Sequence, residues 1–223
     1  MKLRMGLDID DVFFKTSDME KEYSHQKMID DGYTTDETGD TYRHGKMYAS
    51  AGSVEERILF ARYEHMLPPD RYYTDPVWID CTLVDAVISC IAEHPDWEFV
   101  VITSRASADD IDFDEISKSQ RKKLQKIRSD NINLVTSVLP VREFYFTAKK
   151  ALKMVEHNID ILIDDGLLYI QSVREIKGKT PIWRLLPGND NIQIERDHYD
   201  GMYALKDFVR LKPVLEEIEA MIS

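Results

Sequence analysis

The run Glu98-Phe-Val-Val-Ile-Thr103 constrains this chain more than any other feature. Its unbroken, largely β-branched centre suits a strand buried on both faces, and such strands belong to parallel sheets that carry helices on either side. Residues 3–9 form a second apolar run that ends in acid at Asp8, Asp10 and Asp11. Residues 143–146 and 159–163 read as further strands, and 181–185 as another. Helical patterns fall between them. Leu83, Val84, Val87, Ile88 and Ile91 share one helix face behind a candidate N-cap, Asp80. Residues 114–129 read as a basic helix, and Ala148, Ala151, Leu152 and Val155 keep i, i+3, i+4, i+7 spacing. Pro213 suits the first turn of a helix over 214–222. Strands alternating with helices predict an α/β fold on a parallel sheet.

Residues 14–80 break the alternation. They hold two polar turn regions, many aromatics and a helical pattern at 55–66. A structureless connection of that length is anomalous inside a compact domain, so the segment reads as a small, mostly helical insertion. The expected boundaries are therefore 1–13 and 81–223 for the core and 14–80 for the insertion. Phe60, Tyr63 and Trp78 fit the insertion's own core, whereas Tyr33, Tyr42 and Tyr48, near glycine and aspartate, fit a substrate-facing role. Asp30, Asp31, Asp36, Glu37 and Asp40 miss the spacing of a calcium loop and read as a solvated acidic stretch.

Composition excludes several classes. The 29 Lys and Arg stand against 41 Asp and Glu, a net charge of −12. That excess argues against binding polymeric nucleic acid. No apolar run reaches the roughly 18–20 residues of a membrane helix, and the start Met1-Lys2-Leu3-Arg4-Met5 turns acidic too soon for a signal peptide. Cys81 and Cys90 lie more than two turns apart on one predicted helix, too far for a bridge, so reduced thiols and a cytoplasmic setting are expected. There is no G-x-G-x-x-G, no phosphate-loop motif, no H-E-x-x-H and no zinc-finger spacing. The oligomeric state is left open, a homodimer included.

The remaining chemistry sits where strands end. In an open parallel sheet the C-terminal ends converge on one crevice. Asp8 and Asp10 follow the first strand, Thr103, Ser104 and Arg105 the second, and Asp164 and Asp165 the strand at 159–163; Lys149 and Lys150 begin the helix before it. Clustered carboxylates repel unless a cation neutralises them, and Mg2+ prefers such oxygen ligands. A carboxylate can attack phosphorus, a second can move the proton, and a hydroxyl with an ammonium can hold phosphate oxygens. Arg105 reads equally as a substrate contact or as a surface ion pair.

Four segments, taken in order, resemble the motifs of the haloacid dehalogenase-like superfamily. Leu7-Asp8-Ile9-Asp10-Asp11-Val12 is similar to its D-x-D-x-[TV] motif, and Val100-Val101-Ile102-Thr103-Ser104 to its second, a strand ending in a hydroxyl. Lys150 stands 14 residues before Asp164, as the third-motif lysine does, although Lys149 is adjacent. Ile161-Leu162-Ile163-Asp164-Asp165 resembles the fourth, an apolar strand ending in Asp-Asp. The resemblance implies a Rossmann-like parallel sheet flanked by helices, with a helical cap inserted after the first strand. It implies Asp8 as nucleophile and Asp10 as general acid/base; Thr103, Ser104 and Lys150 on the phosphate; and Asp8, Asp10 (by its carbonyl), Asp164 and Asp165 on Mg2+.

Asp10 separates this chain from the dehalogenases, which lack an acid there, and D-K-T-G-T of the P-type ATPases is absent. The length of the insertion, the Thr103-Ser104 ending and the tail Leu185-Leu186-Pro187-Gly188-Asn189 most resemble the 5′(3′)-deoxyribonucleotidase group. The implied partner is a small phosphorylated metabolite: a nucleoside 5′-monophosphate or deoxynucleotide, or alternatively a phosphosugar or cofactor phosphate. A reading of another class is a non-catalytic phosphate-ligand binding protein on the same fold. The intact set Asp8, Asp10, Lys150 and Asp164 counts against it.

Overall fold

Among the described residues, seven strands form one sheet in the order β3-β2-β1-β4-β5-β7-β6. They are β1 (Arg4–Leu7), β2 (Glu98–Thr103), β3 (Phe144–Phe146), β4 (Ile161–Asp164), β5 (Thr180–Arg184), β6 (His198–Tyr199) and β7 (Met202–Leu205). This is a computed structural model, and it describes residues 3–30, 68–112, 114–186, 192 and 197–222. All neighbouring pairs are parallel except β6 and β7. The α-helices among the described residues are α1 (Thr16–Asp30), α2 (Cys81–Glu93), α3 (Lys118–Thr136), α4 (Lys150–Glu156), α5 (Leu167–Arg174) and α6 (Leu211–Ile222). The predicted α/β architecture with flanking helices is the one observed.

Local chemistry explains the elements. The predicted strand at 98–103 is buried along nearly its whole length, as a central parallel strand must be. Asp80 caps α2, its Oδ1 accepting from the amides of Thr82 at 2.9 Å and Leu83 at 3.3 Å. Ser117 and Gln120 close a reciprocal capping box, so α3 begins at Lys118 rather than near 114 and runs on to Thr136. The terminal helix starts at Leu211, which keeps Pro213 in the first turn. One face of the sheet buries Val100, Ile102 and Leu162 against Met154 of α4 and Val173 of α5. Alternation along the strands turns Phe99, Val101 and Ile163 the other way, and these are buried too. Cys90 lies fully buried in α2, where burial pushes its thiol up to about 12, while Cys81 is exposed; both are free.

The chain divides into two compact units, Met1–Phe14 with Ile79–Ser223 and Lys15–Trp78. In the larger, the Asp80 amide donates to the Phe13 carbonyl at 2.9 Å. In the smaller, the Lys15 amide donates to the Trp78 carbonyl at 2.8 Å, and the Tyr73 hydroxyl donates to Glu20 at 2.8 Å. Tyr23 and Tyr72 meet edge to face at 5.2 Å, and Trp78 is half-buried. Tyr33, Tyr42, Tyr48, Phe60, Tyr63, the helical pattern at 55–66 and most of the tail at 185–189 lie outside the described residues. Among the described residues no helix is long and apolar enough to cross a membrane.

Candidate active site

Strand order places the site. The chain builds outward from β1 through β2 to β3, then returns to β4 on the other side of β1. The direction of building therefore reverses between β1 and β4, and a crevice opens at such a switch point. Leu7 is in register with Ile163, so Asp8 emerges level with Asp164 across that boundary. Leu7 is also in register with Val101, which puts Thr103 further along the same edge.

Lys150 lies between the two aspartates. Its Nζ is 2.9 Å from Asp8 Oδ2 and 2.6 Å from Asp164 Oδ2, and all three side chains are essentially sealed from solvent. The ammonium also sits over the Tyr169 ring, 4.2 Å from its centroid. Of the two adjacent lysines, Lys150 enters the cluster and Lys149 is exposed. The remaining Asp8 oxygen accepts the Ile9 amide at 2.8 Å, and Asp164 Oδ1 accepts the Gly166 amide at 2.8 Å. A side chain at Gly166 would crowd both neighbours: its Cβ would fall 3.0 Å from Asp164 Oδ1 and 2.9 Å from the Tyr169 ring.

Asp165 completes an acidic triangle: Asp8, Asp164 and Asp165 each offer an oxygen, and these atoms lie within 4.8 Å of one another. The backbone carbonyl of Asp165 accepts the Trp183 indole N–H at 2.9 Å, which anchors the turn after β4. Electrostatics follow from one ammonium facing this many carboxylates. Burial, then Asp8, pushes Asp164 up to about 7 against the pull of Lys150. Burial, then Asp8 and Asp164, pushes Asp165 up to about 8. Burial raises Asp8 as well, with Lys150 opposing. Burial works against the Lys150 charge, but Asp8 and Asp164 outweigh it and its net shift is upward.

The second strand end is arranged differently. The Thr103 hydroxyl is fully buried and accepts the Arg105 amide at 3.3 Å. Ser104 heads the short 3₁₀ turn Arg105–Asp110, its carbonyl accepting from Ser107. Asp10 pairs with Arg105 at 2.6 Å. That turn also holds the approach to Lys150. Asp110 takes the Thr147 hydroxyl and the Ala148 amide, each at 2.7 Å, and the Thr147 amide donates to the Thr103 carbonyl at 2.7 Å. Sequence reasoning did not find Asp110, Thr147, Tyr169 or Trp183, and nothing in local pattern marks them. Gly166, directly after Asp164-Asp165, was the readable signal of a close backbone approach.

No protein-family model and no curated protein sequence matches the chain. Solved structures do. A haloacid dehalogenase-like family hydrolase from Xanthomonas campestris is similar at a TM-score of 0.50 and 14% identity, over 99% of this chain and 97% of that one. The fold is that of the haloacid dehalogenase-like hydrolases. A HAD family hydrolase from Deinococcus radiodurans R1, solved with bound phosphate and sodium, reaches 0.51 at 11% identity over 98% and 96%. A HAD-superfamily hydrolase of subfamily IA from Geobacter sulfurreducens reaches 0.50 at 11% identity over 96% of each chain. At these identities the likeness is one of fold, and it extends over almost the whole of each chain.

Proposed function

We propose that the chain is a Mg2+-dependent phosphomonoester hydrolase of the haloacid dehalogenase-like superfamily, acting through an aspartyl-phosphate on Asp8. The observation that carries this reading is the Lys150 ammonium lodged between Asp8 and Asp164, with Asp165 completing an all-oxygen triangle. Such a donor set fits a hard dication and lacks the nitrogen and sulfur that zinc prefers. Asp8, Asp164 and Asp165 would hold the ion, with the Asp10 carbonyl. When bound, it neutralises these carboxylates and the charge on the phosphoryl oxygens.

The chain's own residues would do the rest. An Asp8 oxygen attacks phosphorus, and the ester P–O bond breaks as the leaving oxygen takes its electron pair and a proton from Asp10. Water then attacks the acyl phosphate and gives a proton to Asp10, and the bond to Asp8 breaks to release orthophosphate. Lys150, the Thr103 hydroxyl and Ser104 would hold the non-bridging oxygens. Phosphate in the Deinococcus structure of the same fold suits this assignment. For the substrate we propose a nucleoside 5′-monophosphate or deoxynucleotide, on the resemblance of the insertion length and of Thr103-Ser104. Residues 14–80 would then act as the cap and contact the part of the substrate beyond the phosphate.

Orthophosphate release from p-nitrophenyl phosphate should require Mg2+, vanish in EDTA and return when Mg2+ is restored. Undiminished release after exhaustive chelation, or no release from any member of a nucleotide and sugar-phosphate panel, overturns the proposal. A clear preference for sugar phosphates overturns only the nucleotide part. Gly166→Ala gives a second check, because its Cβ would fall 2.9 Å from the Tyr169 ring and 3.0 Å from Asp164 Oδ1 and press on both by a few tenths of an ångström. Mg2+ affinity measured by calorimetry should fall about tenfold or more, as for other disturbed supports of metal ligands. Unchanged affinity together with a displaced Asp164 carboxylate in a crystal structure of the variant would show that Asp164 does not hold the ion.

A further inference from the structure

Arg105 stands directly after the predicted phosphate-binding pair, yet the structure turns its guanidinium to Asp10. Nε and Nη2 donate to the same oxygen, Asp10 Oδ1, at 2.8 and 2.6 Å. Nη1 donates to Asn131 Oδ1 at 2.7 Å. Asn131 is buried on α3, and its own Nδ2 donates to the Ile127 carbonyl at 2.8 Å, which fixes the amide with its oxygen toward Arg105. The guanidinium lies over the Phe14 ring, 5.0 Å from the centroid. The Arg105 side chain is 8% exposed and that of Asp10 33%. A planar fork held by an amide, a ring and a carboxylate is rigid in a way that a solvated ion pair is not.

We propose that Arg105, held by Asn131, is a positioning residue that sets the orientation of the Asp10 carboxylate toward the leaving group. Two donors on one oxygen fix the rotation of that carboxylate about its Cβ–Cγ bond, and so fix where Oδ2 lies. A proton can pass to the leaving oxygen only from an atom within hydrogen-bond reach, so orientation governs the step. With a third of the Asp10 side chain exposed, solvent screens the pair and its net contribution to stability is small. Orienting Asp10 is therefore the better account of this pair. The inference rests on the phosphohydrolase reading, and it extends that reading to two residues, one of them 26 positions away in sequence.

The test compares leaving groups in the Mg2+-loaded protein. Arg105→Met and Asn131→Leu should lower kcat/KM on an alkyl phosphate about tenfold more than on p-nitrophenyl phosphate, whose leaving group needs little protonation. The loss should fall on kcat with KM nearly unchanged, and added guanidinium should partly restore Arg105→Met. Equal losses on both esters with a raised KM would mean that Arg105 grips the phosphoryl group itself, and would overturn the inference. A crystal structure of Arg105→Met with Mg2+ and orthophosphate tests it without turnover: a rotated Asp10 carboxylate supports it, and an unmoved one overturns it. Failure of the wild type to release phosphate from any ester would instead strike the functional reading, whatever that crystal structure shows.

Discussion

Asp8→Asn should leave a folded protein with no measurable phosphate release. Asp8 is the carboxylate that meets Lys150, the Ile9 amide and the acidic triangle at once. An amide of the same size preserves packing but offers no anionic oxygen to attack phosphorus. Loss of a nucleophile from a working constellation costs on the order of 10⁴-fold or more in kcat. Stability should move the other way. The carboxylates at this edge raise one another's proton affinity, so removing one charge relieves repulsion in the metal-free state. Thermal unfolding in EDTA should therefore show Asp8→Asn at least as stable as wild type. Asp10→Asn is the contrasting case: phosphate binding should persist while turnover of a poor leaving group falls by about 10²–10⁴-fold. Residual turnover in Asp8→Asn, confirmed free of contaminating enzyme, would place the nucleophile elsewhere.

What could be read from the sequence follows how local the cause is. The strand at 98–103 announces itself because burial on both faces demands an unbroken apolar run. Asp8 and Asp164 were legible for a related reason: each is the first charge after such a run, and parallel strands end together. The choice between Lys149 and Lys150 was not legible. Neighbouring positions on a helix point about 100° apart, and which one turns inward depends on where α4 begins, at Lys150 itself. The start of α3 was missed although Ser117-x-x-Gln120 is a capping-box pattern. The β6–β7 hairpin was missed although its turn is Asp200-Gly201, both at positive φ, the commonest signature of a tight hairpin. Arg105 illustrates the limit. Its sequence neighbours suggested a phosphate contact or a surface pair, whereas Asn131 and Phe14 turn it into a buried tether on Asp10. Such a role depends on three separate segments meeting, and no window of sequence contains all three.

Lys150→Met should destabilise the core substantially, by an amount that depends on pH and metal. Methionine fills a similar volume but leaves Asp8 and Asp164 buried beside each other without the ammonium. Removing the cation leaves these buried carboxylates uncompensated, which typically costs about 3–5 kcal/mol. The sign with pH follows from the carboxylates. In the wild type Asp164 and Asp165 are pushed up to about 7 and about 8, whereas unfolded aspartates titrate at about 4. Across that window the native state binds more protons than the unfolded chain, so metal-free stability falls as pH rises from about 5 toward 8. Without Lys150 the carboxylates hold protons still more strongly, and the fall becomes steeper. The variant should thus lie closest to wild type near pH 5 and furthest from it near pH 8, by urea unfolding in EDTA. Mg2+ binds the ionised carboxylates and should restore part of the stability at pH 8, by mass action. Activity should still drop by about 10²–10³-fold, because a preorganised charge beside the nucleophile is gone. A variant as stable as wild type at pH 8 in EDTA would show that Lys150 is not what allows these aspartates to stay charged side by side.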